Sequence, residues 1–185
     1  MSLYGHQLSG VDWLVTKPSA MLLWEMGLGK TRAALLAATK LYAKQKIDRV
    51  LVLCPAAVKF SWRTEIEKLD ATGTQFLPCI YDAKKQLVYG ESRPGAPLPV
   101  LVLSYSLLPQ KRHVEAIAKW CENGKSVLIA DESSFLKNRT AKQTKGAARI
   151  SRACCYRWLL TGTPIANSPL DLYGQAMVMF PNGVK

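Results

Sequence analysis

Several features that define other classes of protein are missing from this sequence. Its longest apolar runs fall well short of the ~20 residues needed to cross a membrane. The N-terminal residues carry no basic segment followed by a long apolar core, so we expect no secretory signal. We therefore expect no membrane partner. The expected location is the cytoplasm, either bacterial or that of a viral host, or the nucleus if the organism is eukaryotic.

Metal-binding and disulfide patterns are missing as well. The sequence has 5 cysteines without a Cys-x-x-Cys pair, and 2 histidines without neighbouring ligands. This gives no zinc spacing. An odd number of cysteines within apolar or mixed segments is typical of free thiols in a reducing compartment. The sequence thus predicts neither a zinc site nor a disulfide framework.

Acidic residues are scarce. The 13 Asp+Glu stand against 25 Lys+Arg, which gives a formal net charge of +12. Such an excess favours a polyanionic partner, although it also serves solubility alone. Residues 135–170 contain no acid at all, and their basic residues are Lys137, Arg139, Lys142, Lys145, Arg149, Arg152 and Arg157. This segment can either follow a nucleic-acid backbone or form a solvated helix face, and both interpretations stay open.

The chain alternates between apolar runs of strand length and segments of helical periodicity. The runs lie at residues 20–23, 49–54, 75–80, 100–103, 126–130 and 156–160. The helical segments lie at residues 3–14, 32–44, 56–69, 111–121 and 169–180, and residues 89–99 are predicted to be a loop. Continuous apolar strands that alternate with helices are typical of a parallel sheet covered on both faces. We expect one α/β domain over residues 1–185.

One segment combines a strand, a glycine turn and a helix. Gly27 and Gly29 precede Lys30 and Thr31, and the predicted helix follows directly. Glycine lets backbone N–H groups approach an anion, and a helix N-terminus adds partial positive charge. In such phosphate loops the lysine reaches the β- and γ-phosphates and the hydroxyl holds Mg²⁺. Trp24 replaces the first glycine of the usual pattern.

Further polar residues follow the predicted strands. Asp131 and Glu132 end the run at 126–130, and Thr161 follows the run at 156–160. Ligands of parallel sheets bind beyond the carboxyl ends of the strands. Asp131 is a candidate to hold Mg²⁺ through water, and Glu132 to deprotonate an attacking water. Gln7, near the N-terminus, carries an amide that can both donate to adenine and accept from it.

Jointly, these motifs resemble the first motor lobe of Swi/Snf-type ATPases in helicase superfamily two. The residues around Gln7 are similar to the adenine-reading Q motif, and residues 25–31 to motif I. Residues 53–65 are similar to motif Ia, 103–105 to the next motif that faces nucleic acid, 131–138 to motif II and 160–167 to motif III. The motifs follow the family's order over nearly the whole chain. The implied fold is a three-layer RecA-like phosphate-loop fold with a mostly parallel central sheet.

The resemblance also implies ligands and roles for individual residues. ATP would be bound by Gln7, Gly27, Leu28, Gly29, Lys30, Thr31 and Arg32. Mg²⁺ would be held by Thr31 and Asp131, while Glu132 and Lys30 would be catalytic. Coupling and contact with double-stranded DNA would involve Pro55, Trp62, Ser104, Tyr105, Lys137, Asn138, Thr161, Gly162 and Thr163. The rings of Trp62 and Tyr105 are candidates to stack on bases, although packing inside the domain is the commoner role.

Two departures from the family bear on function. Trp24 replaces an acidic residue, and Ser134 replaces a histidine that links nucleotide state to DNA contact. The family also has a second RecA-like lobe, whose arginines stabilise the transferred phosphoryl group. An arginine of this kind contributes a factor of ~10³–10⁵ in rate. No such region occurs within the 185 residues, so we expect a lobe of a DNA-dependent ATPase that by itself binds ATP weakly and hydrolyses it poorly.

Two other functions fit the same residues. A self-contained phosphate-loop kinase or small NTPase would need its own acceptor pocket and catalytic arginine. A nucleic-acid-binding module with a vestigial nucleotide site would explain Trp24 and Ser134. The sequence does not indicate an oligomeric state.

Overall fold

A six-stranded sheet forms the centre of the computed structural model, which describes residues 3–70, 76–81, 96–165 and 168–183. Each pairing among the described strands is parallel. The strands are β1 (Ser19–Leu22), β2 (Arg49–Cys54), β3 (Phe76–Ile80), β4 (Leu98–Ser104), β5 (Ser126–Asp131) and β6 (Tyr156–Leu160). The helices are α1 (Gly5–Thr16), α2 (Lys30–Ala43), α3 (Lys59–Asp70), α4 (Lys111–Glu122), α5 (Lys142–Arg152) and α6 (Asp171–Met179). Short 3₁₀ turns lie at Ala56–Val58, Tyr105–Leu107 and Ser133–Leu136.

The strand order brings three chain segments to one edge of the sheet. The order is β1-β6-β5-β2-β4-β3, so β6 separates the strand before the phosphate loop from the strand that carries the acidic pair. Leu22 pairs with Leu160, and Leu160 pairs with Asp131. Adjacent strands lie about 4.8 Å apart. The ends of β1 and β5 are therefore about 10 Å apart, with the end of β6 between them.

Alternating side chains supply two apolar cores, one on each face of the sheet. In β2, Val50 and Val52 belong to one core, and Leu51 and Leu53 belong to the other. Helices α1, α2 and α3 cover the first face, and α4, α5 and α6 cover the second. Every residue of β2 is buried, which is why the strand has a continuous apolar sequence. The predicted α/β sheet with helices on both faces is thus confirmed.

The secondary structure predicted from the sequence is wrong at one loop boundary and lacks one helix. The loop predicted over residues 89–99 ends earlier, because Leu98 and Pro99 belong to β4. Proline fits there because β4 pairs with β2 only from Val100 onward, so the missing N–H breaks no bond to β2. Helix α5 was not among the predicted helices.

Some predicted segments extend beyond the described part of the chain. Residue 75 of the strand predicted at 75–80, residues 89–95 of the loop, and residues 166–167 of the segment at 160–167 are among them. Of the helices that the structure does describe, none is long and apolar enough to span a membrane.

Candidate nucleotide site

The turn between β1 and α2 depends on two glycines. Gly27 and Gly29 both have a φ of +82°, a left-handed conformation that residues with a Cβ disfavour. Gly29 is also the N-cap of α2, so the first N–H groups of a 14-residue helix are directed at this turn. The loop therefore has the backbone that anion binding requires.

Lys30, the first residue of α2, turns its side chain back toward the loop. Its Nζ donates to the carbonyl oxygens of Trp24 at 2.9 Å and Glu25 at 3.1 Å. The residue is only 8% exposed. These neutral acceptors hold the ammonium group in the loop, and a phosphate oxygen would accept a stronger, charge-assisted bond at the same place.

Gln7 reaches the same loop from α1. Its Nε2 donates to the carbonyl oxygen of Leu28 at 3.2 Å, and its Oε1 accepts from the backbone N–H of Tyr4 at 3.2 Å. The side chain also lies so close to Gly29 that a Cβ there would collide with Nε2. Gln7 is thus a buried link between α1 and the phosphate loop, and its contact adds to the positive φ that already favours glycine at residue 29.

The acidic pair lies at the end of β5 and is held by two aromatic residues. The Nε1 of Trp62 donates to Oδ2 of Asp131 at 2.7 Å, and the hydroxyl of Tyr105 donates to the backbone carbonyl of Asp131 at 2.7 Å. The N–H of Glu132 donates to Oδ1 of Asp131 at 3.0 Å. Glu132 itself has φ +48° and ψ +54°, a conformation rare for a residue with a Cβ. Such strained residues cluster at functional sites.

Burial shifts both carboxyl groups toward the protonated form. It raises the pKa of Asp131, while the N–H groups of Trp62 and Glu132 and the charge of Lys30 act in the opposite direction. Burial also raises the pKa of Glu132, and the neighbouring charge of Asp131 adds to that effect. A carboxylate with a raised pKa is a better general base than an exposed one.

One cavity connects the loop with the acidic pair. It has a volume of about 470 Å³ and is lined by Gln7, Met26, Gly27, Gly29, Lys30, Thr31, Arg32, Glu65, Asp131 and Glu132. All but one of the residues predicted for nucleotide and metal are in this lining. The exception, Leu28, contributes the carbonyl that Gln7 contacts. Glu65 of α3 was not predicted as a site residue, although it lies three residues after Trp62 and so on the same helix face.

The segment after β6 lies against the start of the phosphate loop. The N–H of Thr161 donates to the carbonyl of Leu22 at 3.1 Å, and the Oγ1 of Thr161 accepts from the N–H of Thr163 at 3.1 Å. A Cβ on Gly162 would lie 3.3 Å from the carbonyl oxygen of Trp24. Residues 161–163 therefore support the loop through its backbone.

A buried glutamine links the turn after the acidic pair to the segment after β6. The hydroxyl of Ser133 donates to Oε1 of Gln175 at 2.7 Å, and Nε2 of Gln175 donates to the carbonyl of Pro164 at 2.7 Å. Ser133 is 0% exposed and Gln175 is 1% exposed. Sequence reasoning did not single out Gln175. The available signal was its spacing of three residues from Val178, which places an amide on the buried face of α6.

Of the two roles open to Trp62 and Tyr105, the structure shows the commoner one, packing inside the domain. Both side chains are only 2% exposed and both donate to Asp131, so their rings are not available to stack on bases. Ser104 is buried as well, and its hydroxyl pairs with that of Ser106 at 2.9 Å. Pro55 is half-buried at the end of β2.

Lys137 and Asn138 lie at a second cavity, of about 570 Å³. The cavity is also lined by Arg139, whose guanidinium lies 5.1 Å from the ring centre of Tyr173 in α6. The Oδ1 of Asn138 accepts from the N–H of Thr140 at 2.9 Å. The lining thus combines the basic side chains of Lys137 and Arg139 and the exposed ring of Tyr173 with the carboxyl group of Asp171.

The seven basic residues of segment 135–170 do not form one surface. Arg149 is held between Glu115 at 2.9 Å and Glu122 at 3.1 Å. Arg157 donates to two backbone carbonyls, and Arg152 to a third. These three arginines therefore connect elements of the fold. The exposed basic residues of the segment include Arg139, Lys142 and Lys145.

Comparisons with known proteins show the family of the chain. The sequence model of the SNF2-related domain family matches residues 6–182. The chain is 31% identical to the mouse Chromodomain-helicase-DNA-binding protein 1-like over 97% of its own length and 20% of that protein. It is 29% identical to a Caenorhabditis elegans homologue of the SWI/SNF-related matrix-associated actin-dependent regulator of chromatin subfamily A-like protein 1, over 94% of the chain and 23% of that protein. The chain thus spans about a fifth of the length of these two relatives.

A solved structure supports the fold. The SWI2/SNF2 ATPase core of Sulfolobus solfataricus in complex with dsDNA superimposes with a TM-score of 0.77 at 21% identity, over 98% of this chain and 36% of that one. The RecA-like fold is therefore confirmed.

Proposed function

Because the chain belongs to the SNF2-related domain family, we propose that it is the ATP-binding first lobe of a Swi/Snf-type DNA-dependent ATPase. The observation that carries the proposal is the shared cavity, in which the glycine turn, Lys30 and the acidic pair face one space. In this view, residues 1–185 form a single lobe. The complete protein would use ATP to move along duplex DNA.

The residues at the cavity suit a magnesium nucleotide. The donors are the hydroxyl of Thr31 and the carboxylate of Asp131, and Mg²⁺ prefers oxygen ligands of this kind. When bound there, the ion would neutralise charge on the β- and γ-phosphates. With nucleotide bound, Lys30 would exchange the carbonyl oxygens of Trp24 and Glu25 for phosphate oxygens, and Arg32 lines the same cavity. Gln7 holds α1 against the loop and is the candidate to bind adenine.

Glu132 is the proposed general base. Its carboxylate lies in the cavity beside Asp131, and its raised pKa favours uptake of a proton from the attacking water. Among the residues that the structure describes, Arg32 of α2 is the one arginine that lines this cavity. A second RecA-like lobe would supply the arginines that stabilise the transferred phosphoryl group. We therefore expect weak ATP binding and slow hydrolysis by this chain alone.

Double-stranded DNA is the proposed partner, and the net charge of +12 supports this choice. The second cavity is lined by Lys137, Asn138 and Arg139, and it supplies two basic groups that follow the acidic pair in the sequence. Residues 161–163 would couple the two sites, because Thr161 bonds to the end of β1 and Gly162 lies against the backbone of Trp24 and Glu25.

The test compares nucleotide binding and turnover. Calorimetry should detect binding of a non-hydrolysable ATP analogue with Mg²⁺, and Lys30→Ala should weaken it about 10–100-fold through loss of a charge-assisted bond. Lys40→Ala is the matched control, since this lysine of α2 pairs with Asp12 on the surface and is 50% exposed in its side chain. Duplex DNA should stimulate hydrolysis only after a second lobe of the family is joined to the chain.

Other outcomes would contradict the proposal. Fast turnover by the chain alone, with phosphate transfer to an acceptor, would indicate a kinase. DNA binding without any nucleotide binding would indicate a vestigial nucleotide site.

A further inference from the structure

Trp62 lies inside the domain, although its segment resembles one that runs along nucleic acid. Its indole is 2% exposed, and its N–H points to Oδ2 of Asp131 at 2.7 Å. Tryptophan has a single side-chain donor, and here that donor is used on the carboxylate proposed to hold the metal. The two residues are 69 positions apart in the sequence.

The hydrogen bonds of Asp131 fix the plane of its carboxylate. The torsion that rotates a carboxylate is soft, so the side chain alone does not define this plane. In Asp131, Oδ1 accepts from the N–H of Glu132 and Oδ2 accepts from Trp62. One donor on each oxygen prevents rotation, and a carboxylate with about four lone-pair sites keeps capacity for metal-bound water.

Helix α3 holds the indole rigidly. Ile66, one turn after Trp62, is 0% exposed and belongs to the same apolar core. Glu65 of the same helix lines the cavity together with Asp131. The donor therefore comes from a packed helix that borders the site, not from a mobile loop.

We propose that Trp62 is a positioning residue whose indole N–H orients Asp131 toward the Mg²⁺ of bound nucleotide. This rests on the proposed function of the cavity. Groups that orient metal ligands typically change metal affinity about 10–100-fold when removed. Loss of this N–H should therefore reduce the amount by which Mg²⁺ increases nucleotide affinity. The affinity for nucleotide without the metal should stay unchanged.

The test uses the 185-residue chain and two matched tryptophan variants. Trp62→Phe removes the donor and keeps an aromatic ring. Trp158→Phe does the same at a tryptophan that is 0% exposed and donates to the carbonyl of Lys17 at 3.4 Å, away from the cavity. Calorimetry measures the affinity for the ATP analogue AMP-PNP with Mg²⁺ and with EDTA. The ratio of the two affinities reports the contribution of the metal.

The expected result is a ratio about tenfold lower in Trp62→Phe than in the wild type, with equal affinities in EDTA. Trp158→Phe should keep the wild-type ratio even if it lowers the melting temperature. If Trp62→Phe fails to fold, benzothienylalanine at position 62 keeps the shape of the indole and replaces the N–H by sulfur. In an Asp131→Ala background, Trp62→Phe should cause no further fall in the ratio, because the positioned group is gone.

The outcomes separate this proposal from the proposed function. A wild-type chain whose affinity does not rise with Mg²⁺ would overturn both. A wild-type chain that gains affinity from Mg²⁺, together with a folded Trp62 variant of unchanged ratio, would overturn the positioning role alone. An additional fall in the Asp131→Ala background would show that Trp62 does not act through Asp131.

Discussion

Replacement of Gln175 by leucine tests the link between the turn after the acidic pair and the segment after β6. The variant has a side chain of similar volume but loses both 2.7 Å bonds, to Ser133 and to Pro164. It leaves the buried hydroxyl of Ser133 and the carbonyl of the half-buried Pro164 without these partners. An unsatisfied buried polar group costs about 1–3 kcal/mol, and the added apolar contact offsets part of that. We expect a net loss of about 2 kcal/mol in the free energy of unfolding.

Thermal unfolding followed by circular dichroism measures this loss. For a domain of this size, 1 kcal/mol shifts the melting temperature by about 2–4 °C, so the expected fall is about 4–8 °C. Adding Ser133→Ala to Gln175→Leu should recover about 1 kcal/mol, because the unpaired hydroxyl is removed with its partner. Gln143→Leu is the control, since Gln143 makes a solvent-exposed bond to the carbonyl of Phe135. A change below about 0.5 kcal/mol in Gln175→Leu would refute the reasoning, since only surface substitutions usually stay within that range.

Two further predictions concern α6 and the acidic pair. A Cβ on Gly174 would collide with the carbonyl oxygens of Leu136 and Lys137, so denaturant unfolding should show Gly174→Ala less stable by about 1–3 kcal/mol. Gly5→Ala is the control, because a Cβ at Gly5 meets open space and should barely change the free energy of unfolding. Equal stabilities of the Gly174→Ala and Gly5→Ala variants would contradict the packing described for Gly174. Glu132→Gln should melt higher than the wild type at pH 7, because a raised pKa in the folded state means that ionisation opposes folding. This difference in melting temperature should shrink as the pH falls through the pKa of Glu132 in the folded state toward its ordinary value near 4.5. A difference that grows on acidification would contradict the prediction.

The sheet could be predicted because its strands are buried on both faces. The run Arg49–Cys54 is apolar at nearly every position and matches β2 residue for residue. Motif spacing likewise predicted which residues meet, since Asp131 and the residues after Leu22 and Leu160 come to one edge through parallel register. The apolar pattern of the sequence was sufficient to predict these strands, because neighbouring strands and the covering helices bury each of their residues.

The sequence did not predict contacts that depend on side-chain direction. An aromatic residue between polar neighbours, such as Trp62, is compatible with exposure or burial, and only the packing of α3 on the sheet decides between them. Arg149 carries the charge expected of a nucleic-acid contact, but Glu115 and Glu122 of α4 neutralise it across a helix pair. Partners this distant in sequence cannot be derived from periodicity alone.

The central claim is that the glycine turn and the acidic pair bind one magnesium nucleotide. Nuclear magnetic resonance of the nitrogen-15-labelled chain, titrated with AMP-PNP and Mg²⁺, tests it most directly. The amide signals of Gly27, Gly29 and Glu132 should shift together with a single Kd, while that of Cys155, at the opposite edge of the sheet, should not move. Shifts confined to one of the two segments, or separate Kd values for them, would contradict the claim.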